Sequence, residues 1–244
     1  MKSYQFRQCT VGMLEDMFDI VETTYSDDLN TWFGRAKPIK IIAAERTALT
    51  NSQELLKTNL LGWNEQELAL NFIGPVLASV RFTSATLKIN LFAERLLSQV
   101  LTTSTNEDVL LSGRPDSFLA SGLRDPRVPF FSFHEHKPEI EGDGDPVGQV
   151  LAAMLVGQAQ NPDKSLPIYG CYVIGQNWYF LVLKDKSYTI ASPFAATNKE
   201  VFDIFKTLKA LKIIVEQRAA LLNVNVQVTS VACTFEKYPP QNKT

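Results

Sequence analysis

Apolar residues recur at helical spacing through the first third of the chain. Over residues 1–62 this pattern predicts a helical extension, with one helix capped by Thr10 and a second beginning after residues 51 and 52. Residues 64–80 predict an amphipathic helix, and a kink is expected at Gly74-Pro75 because proline lacks the N–H of a helical hydrogen bond. The chain is therefore expected to open with helices, and no chemistry is assigned to its first 62 residues.

From about residue 84 the pattern changes to short apolar runs separated by turn signals. Between residues 84 and 138 these runs predict consecutive strands joined by tight connections, and hence mostly antiparallel pairing. Asp145 followed by a proline predicts a helix start, and apolar residues at helical spacing extend that helix to about residue 155. Two further strands, a helix over residues 198–221 and a β-rich tail complete the pattern.

The order of these elements predicts an α/β fold. A mixed central sheet flanked by helices, in the order α-βββ-α-ββ-α, is expected over residues 63–222. Residues 1–62 are then an N-terminal helical region, and residues 223–244 are a β-rich C-terminal tail. The chain contains no internal repeat and no low-complexity linker, so a single core with small additions is expected.

Composition and charge narrow the function classes. The 244 residues carry a net charge of −2, so attraction to nucleic acid requires a local basic patch or a bound metal ion. The three cysteines lie far apart and none belongs to a C-x-x-C pair, which favours reduced thiols over a zinc cluster. The chain lacks a signal-peptide core and any apolar run near the ~18 residues of a membrane span. We therefore expect a cytoplasmic protein without membrane contact.

Two segments carry residues suited to divalent-metal chemistry. Asp116 follows Pro115 in an apolar run, and Glu135 and Lys137 share one face of the next predicted strand because side chains alternate with a period of two. Carboxylates that converge on one point suit Mg²⁺, and a nearby cation stabilises charge that develops on a phosphate. Two such carboxylates also repel each other, so we expect Asp116→Ala to leave the fold without metal unharmed.

The order of these segments resembles a known signature. Pro115-Asp116 followed by Glu135-His136-Lys137, with a helix on either side, resembles the PD-(D/E)xK nuclease superfamily, which includes restriction endonucleases and Holliday-junction resolvases. The resemblance implies a restriction endonuclease-like core and a nuclease in which Asp116 and Glu135 bind Mg²⁺ or Mn²⁺. It implies that Lys137 orients water and stabilises the transition state. DNA is expected as substrate in preference to RNA, and a homodimer would suit cleavage of two strands.

Three further residues complete the expected site. Asn64-Glu65 resembles the start of a helix in type I restriction motor subunits, and helical periodicity places Glu65, unlike Glu67, on the apolar stripe, so Glu65 is a candidate metal ligand. Gln149 resembles the glutamine that RecB-like nucleases place on the helix after the triplet, where it would position a phosphate or the lysine. Arg114 is a candidate substrate contact. A surface glutamate and a packing glutamine remain the alternative interpretations.

The other residues also have ordinary structural interpretations. Asp116 could be a turn residue, and Glu135 and Lys137 could form a solvated pair. His134 and His136 project from the face opposite Glu135, where packing or phosphate contact is favoured over zinc binding. At the level of function, the alternatives are a non-catalytic binding or regulatory module on a nuclease-like fold, and a structural α/β domain whose motif is coincidental.

Overall fold

A computed structural model describes residues 1–140 and 144–235 of the chain, and these residues form seven α-helices and eleven strands. The strands are β1 (Lys2–Gln5), β2 (Val21–Glu22), β3 (Ile89–Ala93), β4 (Leu97–Thr102), β5 (Asp108–Gly113), β6 (Ser117–Ser121), β7 (Arg127–Lys137), β8 (Ile168–Ile174), β9 (Asn177–Lys184), β10 (Ser187–Ile190) and β11 (Phe194–Ala195). The helices are α1 (Val11–Phe18), α2 (Asp27–Ala36), α3 (Ala43–Asn59), α4 (Glu65–Leu68), α5 (Gly74–Val80), α6 (Pro146–Gln160) and α7 (Val201–Phe235). None of these helices is both long and apolar enough to cross a membrane.

The strands form two sheets. The larger, eight-stranded sheet has the order β2-β10-β9-β8-β7-β6-β3, with β11 paired to β9, and the smaller has the order β1-β5-β4. In the larger sheet β7 and β8 run parallel, connected through α6, whereas β3, β6 and β7 pair antiparallel in sequence, as do β8, β9 and β10. The predicted α/β fold with a mixed sheet flanked by helices is therefore confirmed.

Both faces of the larger sheet are covered by helices. One face packs against α2, α3, α5 and α7 in a core centred on Trp32, Phe72 and Phe205. The other packs against α1 and α6 in a core that includes Phe118 and Leu151. Burial on both faces explains why β8 and β9 read as nearly continuous apolar runs instead of alternating ones.

The expectation of a purely helical N-terminal region is wrong in part. β1 pairs in parallel with β5, and β2 pairs in parallel with β10, so residues 1–62 add a strand to each sheet. The second expected helix begins at Ala43, well before residue 51, and a further helix, α2, precedes it. At the start of α3, the side chain of Glu45 caps the helix by accepting a hydrogen bond from the backbone N–H of Ile42 at 3.0 Å.

Two further expectations need correction. The segment between residues 84 and 137 contains five strands, and Asp116 lies between β5 and β6, not late in a strand. The chain leaves the smaller sheet for the larger one at Pro115, because proline cannot donate the hydrogen bond that would continue the strand. The β-rich tail is wrong for residues 223–235, which continue α7 as a helix. Residues 236–244 lie outside the described residues.

The expected irregularity in the helix over residues 64–80 takes the form of a π-helical turn. Ala69–Ile73 separates α4 from α5, and the N–H of Gly74 donates to the carbonyl of Ala69, five residues back. A Cβ at Gly74 would lie 2.9 Å from that carbonyl oxygen, so the turn requires glycine there. The π turn lies beside the end of the sheet that carries the candidate site.

We expect Gly148→Ala to lower the free energy of unfolding by about 1–3 kcal/mol, because α6 packs directly on the N-terminal segment. A Cβ at Gly148 would lie 2.3 Å from the carbonyl oxygen of Cys9 and 2.7 Å from the Cα of Thr10, and backbone atoms cannot rotate away. The matched control is Gly34→Ala in α2, where no atom lies within 4 Å and the change should stabilise by about 0.5–1 kcal/mol. Urea denaturation curves measure both, and effects of the same sign would contradict the packing.

Candidate metal centre

The candidate site lies at one end of the larger sheet. β7 and β8 are parallel and both end there, and β6 begins there because it runs antiparallel to β7, with Ser117 paired to His134. The segment before β6 therefore brings Asp116 beside the last residues of β7. The start of α4 brings Glu65 to the same place, where its carboxylate contacts Lys137.

Three side chains are placed to hold one metal ion. One ligand atom from each of Glu65, Asp116 and His136 lies within 4.8 Å of the other two, and all three residues are partly exposed. Two carboxylates suit the hard cations Mg²⁺ and Mn²⁺, and an imidazole adds affinity for later transition metals. The chemistry of this set, hereafter the metal trio, fits a divalent cation.

Asp116 is held by His136 through two contacts. One carboxylate oxygen, Oδ2, accepts a hydrogen bond from the backbone N–H of His136 at 2.7 Å and lies 2.9 Å from Nδ1 of its ring. Burial lowers the pKa of His136, but the hydrogen bond and charge of Asp116, with the charges of Glu65 and Glu135, outweigh burial and raise it. A metal ion that binds this imidazole must therefore compete with the contact to Asp116, and with a proton wherever the ring is protonated.

Lys137 bridges two carboxylates. Its Nζ lies 3.0 Å from Oε2 of Glu65 and 3.1 Å from Oε1 of Glu135, and its side chain is only 13% exposed. Burial lowers the pKa of Lys137, but the two carboxylates raise it by a larger amount. An ammonium group has three N–H donors, and these two contacts leave the third for another acceptor.

Glu135 is the most buried carboxylate of the site, with its side chain 8% exposed. Burial, and then the charge of Asp116, raise its pKa to about 7, against the opposing effects of Lys137 and His136. The oxygens of Glu135 are not part of the metal trio, and the metal-ligand role expected of Glu135 remains a prediction. Its direct ionic partner is Lys137.

The structure thus brings together Glu65, Asp116, Glu135 and Lys137, and it adds His136, which sequence reasoning did not assign to metal binding. Because side chains alternate along β7, His136 and Glu135 project from opposite faces of the sheet. Asp116 lies outside the strands, so this alternation does not determine which of the two faces its carboxylate reaches. The sequence signal for a contact between Asp116 and His136 is Pro115, because a proline at this position disfavours a strand and leaves Asp116 in a loop.

The neighbouring His134 has a structural role. Its two ring nitrogens lie 2.9 Å from the hydroxyl of Ser117 and 3.0 Å from that of Ser132, so both nitrogens are satisfied within the sheet. Burial lowers the pKa of His134 to about 4 and keeps the ring neutral. The expected packing role fits His134, whereas His136 joins the metal trio.

The two outer candidates are less closely connected to this cluster. Gln149 is buried in the first turn of α6, and among the described residues no hydrogen bond joins its side chain to Glu135 or Lys137. Arg114 is exposed, and its Nη1 donates to the carbonyl of Glu94 at 2.8 Å, which fastens the segment before Asp116 to the loop after β3. The roles expected of both residues remain predictions.

Comparisons with known proteins neither support nor contradict the assignment of these residues to a metal site. No family model and no curated protein matches the chain. Among solved structures, the cryo-EM structure of a DrdV–DNA complex matches with 12% identity and a TM-score of 0.35. The match covers 67% of this chain and 14% of the DrdV chain, so this chain spans only a small part of that protein.

We expect the stability of the metal-free protein to depend on Glu135 between about pH 4.5 and about 7. Over this range the folded protein keeps a proton that the unfolded chain has released, so the free energy of unfolding falls as pH rises. Glu135→Gln should reduce that slope, and Glu94→Gln, a change at an exposed glutamate, should not. Denaturant melts in EDTA at several pH values measure the slopes. Equal slopes for wild type and Glu135→Gln would show that Glu135 is not buried in this way.

We expect His136→Ala to weaken Mn²⁺ binding at least about tenfold, because it removes a direct ligand, and to weaken Mg²⁺ binding less, because Mg²⁺ prefers oxygen. Calorimetric titrations in buffers of different ionisation enthalpy should also show that wild type releases more protons on binding Mn²⁺ than the variant does. Unchanged Mn²⁺ affinity in His136→Ala, together with a large loss in Glu135→Gln, would replace His136 by Glu135 as the third ligand.

Proposed function

We propose that this protein is a divalent-metal-dependent nuclease that hydrolyses phosphodiester bonds of nucleic acid, with DNA preferred over RNA. The observation that carries the proposal is the convergence of Glu65, Asp116 and His136 within 4.8 Å, directly beside the Lys137 ammonium. The positions of Asp116, Glu135 and Lys137 within the signature resembling PD-(D/E)xK nucleases support it. A bound Mg²⁺ or Mn²⁺ would polarise the phosphate and lower the pKa of a water molecule.

The remaining roles fall to the chain's own residues. Lys137, fixed by Glu65 and Glu135, directs its third N–H toward a phosphate oxygen or the attacking water. Glu135, with a pKa of about 7, is suited to accept a proton from that water at neutral pH, since a general base is most effective near the working pH. Arg114 contacts the nucleic acid backbone, and Gln149 supports a phosphate or Lys137 after a rearrangement of its side chain.

We expect Lys137→Ala to slow cleavage at least about a hundredfold, because it removes a cation from the site of developing charge, while Mn²⁺ affinity stays the same or rises. Asp116→Asn should lose both cleavage and tight Mn²⁺ binding. Exposed Lys199 supplies the control, Lys199→Ala, which should behave as wild type. Cleavage of single- and double-stranded DNA and of RNA is measured with Mg²⁺ or Mn²⁺ against EDTA, and metal affinity by calorimetry. A Lys137→Ala variant that cleaves at the wild-type rate would contradict the assignment.

Asparagine is the better replacement for Asp116 because alanine would disturb the fold. The expectation that Asp116→Ala leaves the metal-free fold unharmed does not fit the two contacts between Asp116 and His136, since alanine would leave the backbone N–H of His136 without its acceptor. Asp116→Asn keeps one oxygen for that bond while it removes the charge and replaces the other oxygen by an NH2 group.

A non-catalytic nuclease-like binding module is the second candidate, and one observation favours it. Lys137 is tied to two carboxylates and Asp116 to His136, so these charged groups are already satisfied by one another. Under this alternative wild type would bind metal or nucleic acid but cleave none of the three substrates with any of the metals tested.

A further inference from the structure

A cavity of about 280 Å³ opens beside the metal trio. Asp116 and His136, two members of the trio, form part of its wall together with Ser117 and His134. A group in this cavity therefore lies next to anything bound at the trio. The volume is just below the about 300 Å³ at which pockets for drug-sized ligands begin, so the cavity suits a single small ring system.

The inner part of the cavity is mostly apolar and buried. Its lining includes four apolar residues that are at most 3% exposed, Trp178, Cys171, Val173 and Leu208, and two buried polar residues of β7, His134 and Glu135. A phosphate or another charged group entering this part would lose its hydration without compensation, whereas a flat neutral ring would not. The polar trio and the apolar interior thus suit two chemically different parts of one ligand.

One of the residues that line the cavity, Trp178, also carries a donor that lacks an acceptor. The indole Nε1 of Trp178 is buried and has no hydrogen-bond partner among the residues that the structure describes. By contrast, Nε1 of Trp32, which is equally buried, donates to the carbonyl of Thr207 at 2.8 Å. Buried donors are rarely left unsatisfied in native proteins, so the Trp178 N–H points to a ligand that carries an acceptor.

The mouth of the cavity is lined by residues without large side chains. Ala69 comes from the π turn, Gly74 and Ala78 from α5 and Ala93 from the end of β3, and the last three are exposed. π turns occur frequently at functional sites. Here the turn and the small side chains leave an opening between α5 and the edge of the sheet.

We propose that this cavity binds an unpaired nucleobase of the nucleotide whose phosphate lies at the metal trio. The inference rests on the proposed nuclease function and specifies its substrate as nucleic acid that is single-stranded or locally opened at the cleavage site. A nucleobase is flat, neutral and rich in ring-nitrogen and carbonyl acceptors, and proteins bind unstacked bases between apolar and aromatic side chains. The base occupies the apolar interior and accepts the Trp178 N–H, and its sugar spans the short distance to the trio.

The first test fills the cavity from its mouth. Fluorescence anisotropy compares the binding of a short labelled single strand with the binding of the same sequence as a duplex. Both titrations are done in Ca²⁺, and the strand is checked afterwards to show that it has not been cleaved. Wild type should bind the single strand more tightly, and Ala78→Leu should weaken that binding about tenfold or more, the scale of losing one stacked base. Binding of the duplex should change little. The matched control is Ala43→Leu at another exposed alanine, the first residue of α3, which is not among the residues that line the cavity and should behave as wild type.

The second test removes the unsatisfied donor together with part of the indole ring. Trp178→Phe and Trp32→Phe lose the same ring volume at buried positions, so both should lower the melting temperature, but Trp32→Phe should lower it more because it also breaks a formed hydrogen bond. Trp178→Phe should weaken single-strand binding several-fold. This pair separates a ligand-binding role of the Trp178 N–H from a structural one, and it does not depend on the folding of Ala78→Leu.

The outcomes distinguish this inference from the proposed function. If Ala78→Leu and Trp178→Phe bind single strands as wild type does, or lose single-strand and duplex binding equally, the cavity does not hold a base, although metal-dependent cleavage by wild type would still support a nuclease. If wild type binds and cleaves no nucleic acid under any of these conditions, both the proposed function and this inference are overturned.

Discussion

The carboxylates of Glu65, Asp116 and Glu135 converge at one end of the larger sheet. Because these like charges repel one another, this end of the fold requires positively charged groups or hydrogen-bond donors beside them. The ammonium of Lys137 bridges two of them, and the backbone and ring of His136 hold the third. Neither Lys137 nor His136 is freely solvated, and the carboxylates raise the pKa of both because they favour the charged forms. Without Lys137, the buried carboxylate of Glu135 would lose its ionic partner and its protonated form would be favoured. A metal ion bound in this cluster must compete with contacts that already exist.

The sheet topology decides where this cluster forms. Parallel pairing of β7 with β8 requires a crossover connection, and α6 supplies it, so that both strands end on the same side. The antiparallel pairing of β6 with β7 then obliges β6 to begin at that side, directly after the chain has crossed from the smaller sheet. Ligand sites of open α/β sheets commonly lie at such carboxyl ends, because loops and helix termini meet there while the strands fix their positions. The π turn before α5 lies against the same end, which places the apolar cavity and the charged cluster side by side.

The spacing of apolar residues predicted those features of the site that depend on residues close together in the sequence. Helical spacing separated Glu65, which contacts Lys137, from Glu67, whose side chain caps the start of its own helix at the N–H of Asn64. It could not reveal β1, a strand of four residues whose partner β5 lies about a hundred positions away, because that pairing depends on contacts distant in sequence. It also misassigned residues 223–235, where alternating β-branched residues favour a strand but the helix continues from its buried first half. His136 was missed for a related reason, since strand alternation says nothing about a carboxylate that approaches from a loop.

The charge of the cluster bears on how an acidic protein would bind a polyanion. With Glu65, Asp116 and Glu135 ionised and both Lys137 and His136 charged, the cluster has a formal charge of −1, and protonation of Glu135 brings it to zero. The chain as a whole adds no compensating attraction, because its net charge is −2. A divalent cation raises the charge of the cluster by two where His136 keeps its proton, and by one where the metal displaces that proton. A phosphate therefore meets a cluster that repels it or is neutral until a cation has bound. Under the proposed nuclease function, such a site favours binding of the cation before the nucleic acid, and the affinity for nucleic acid should depend steeply on the metal.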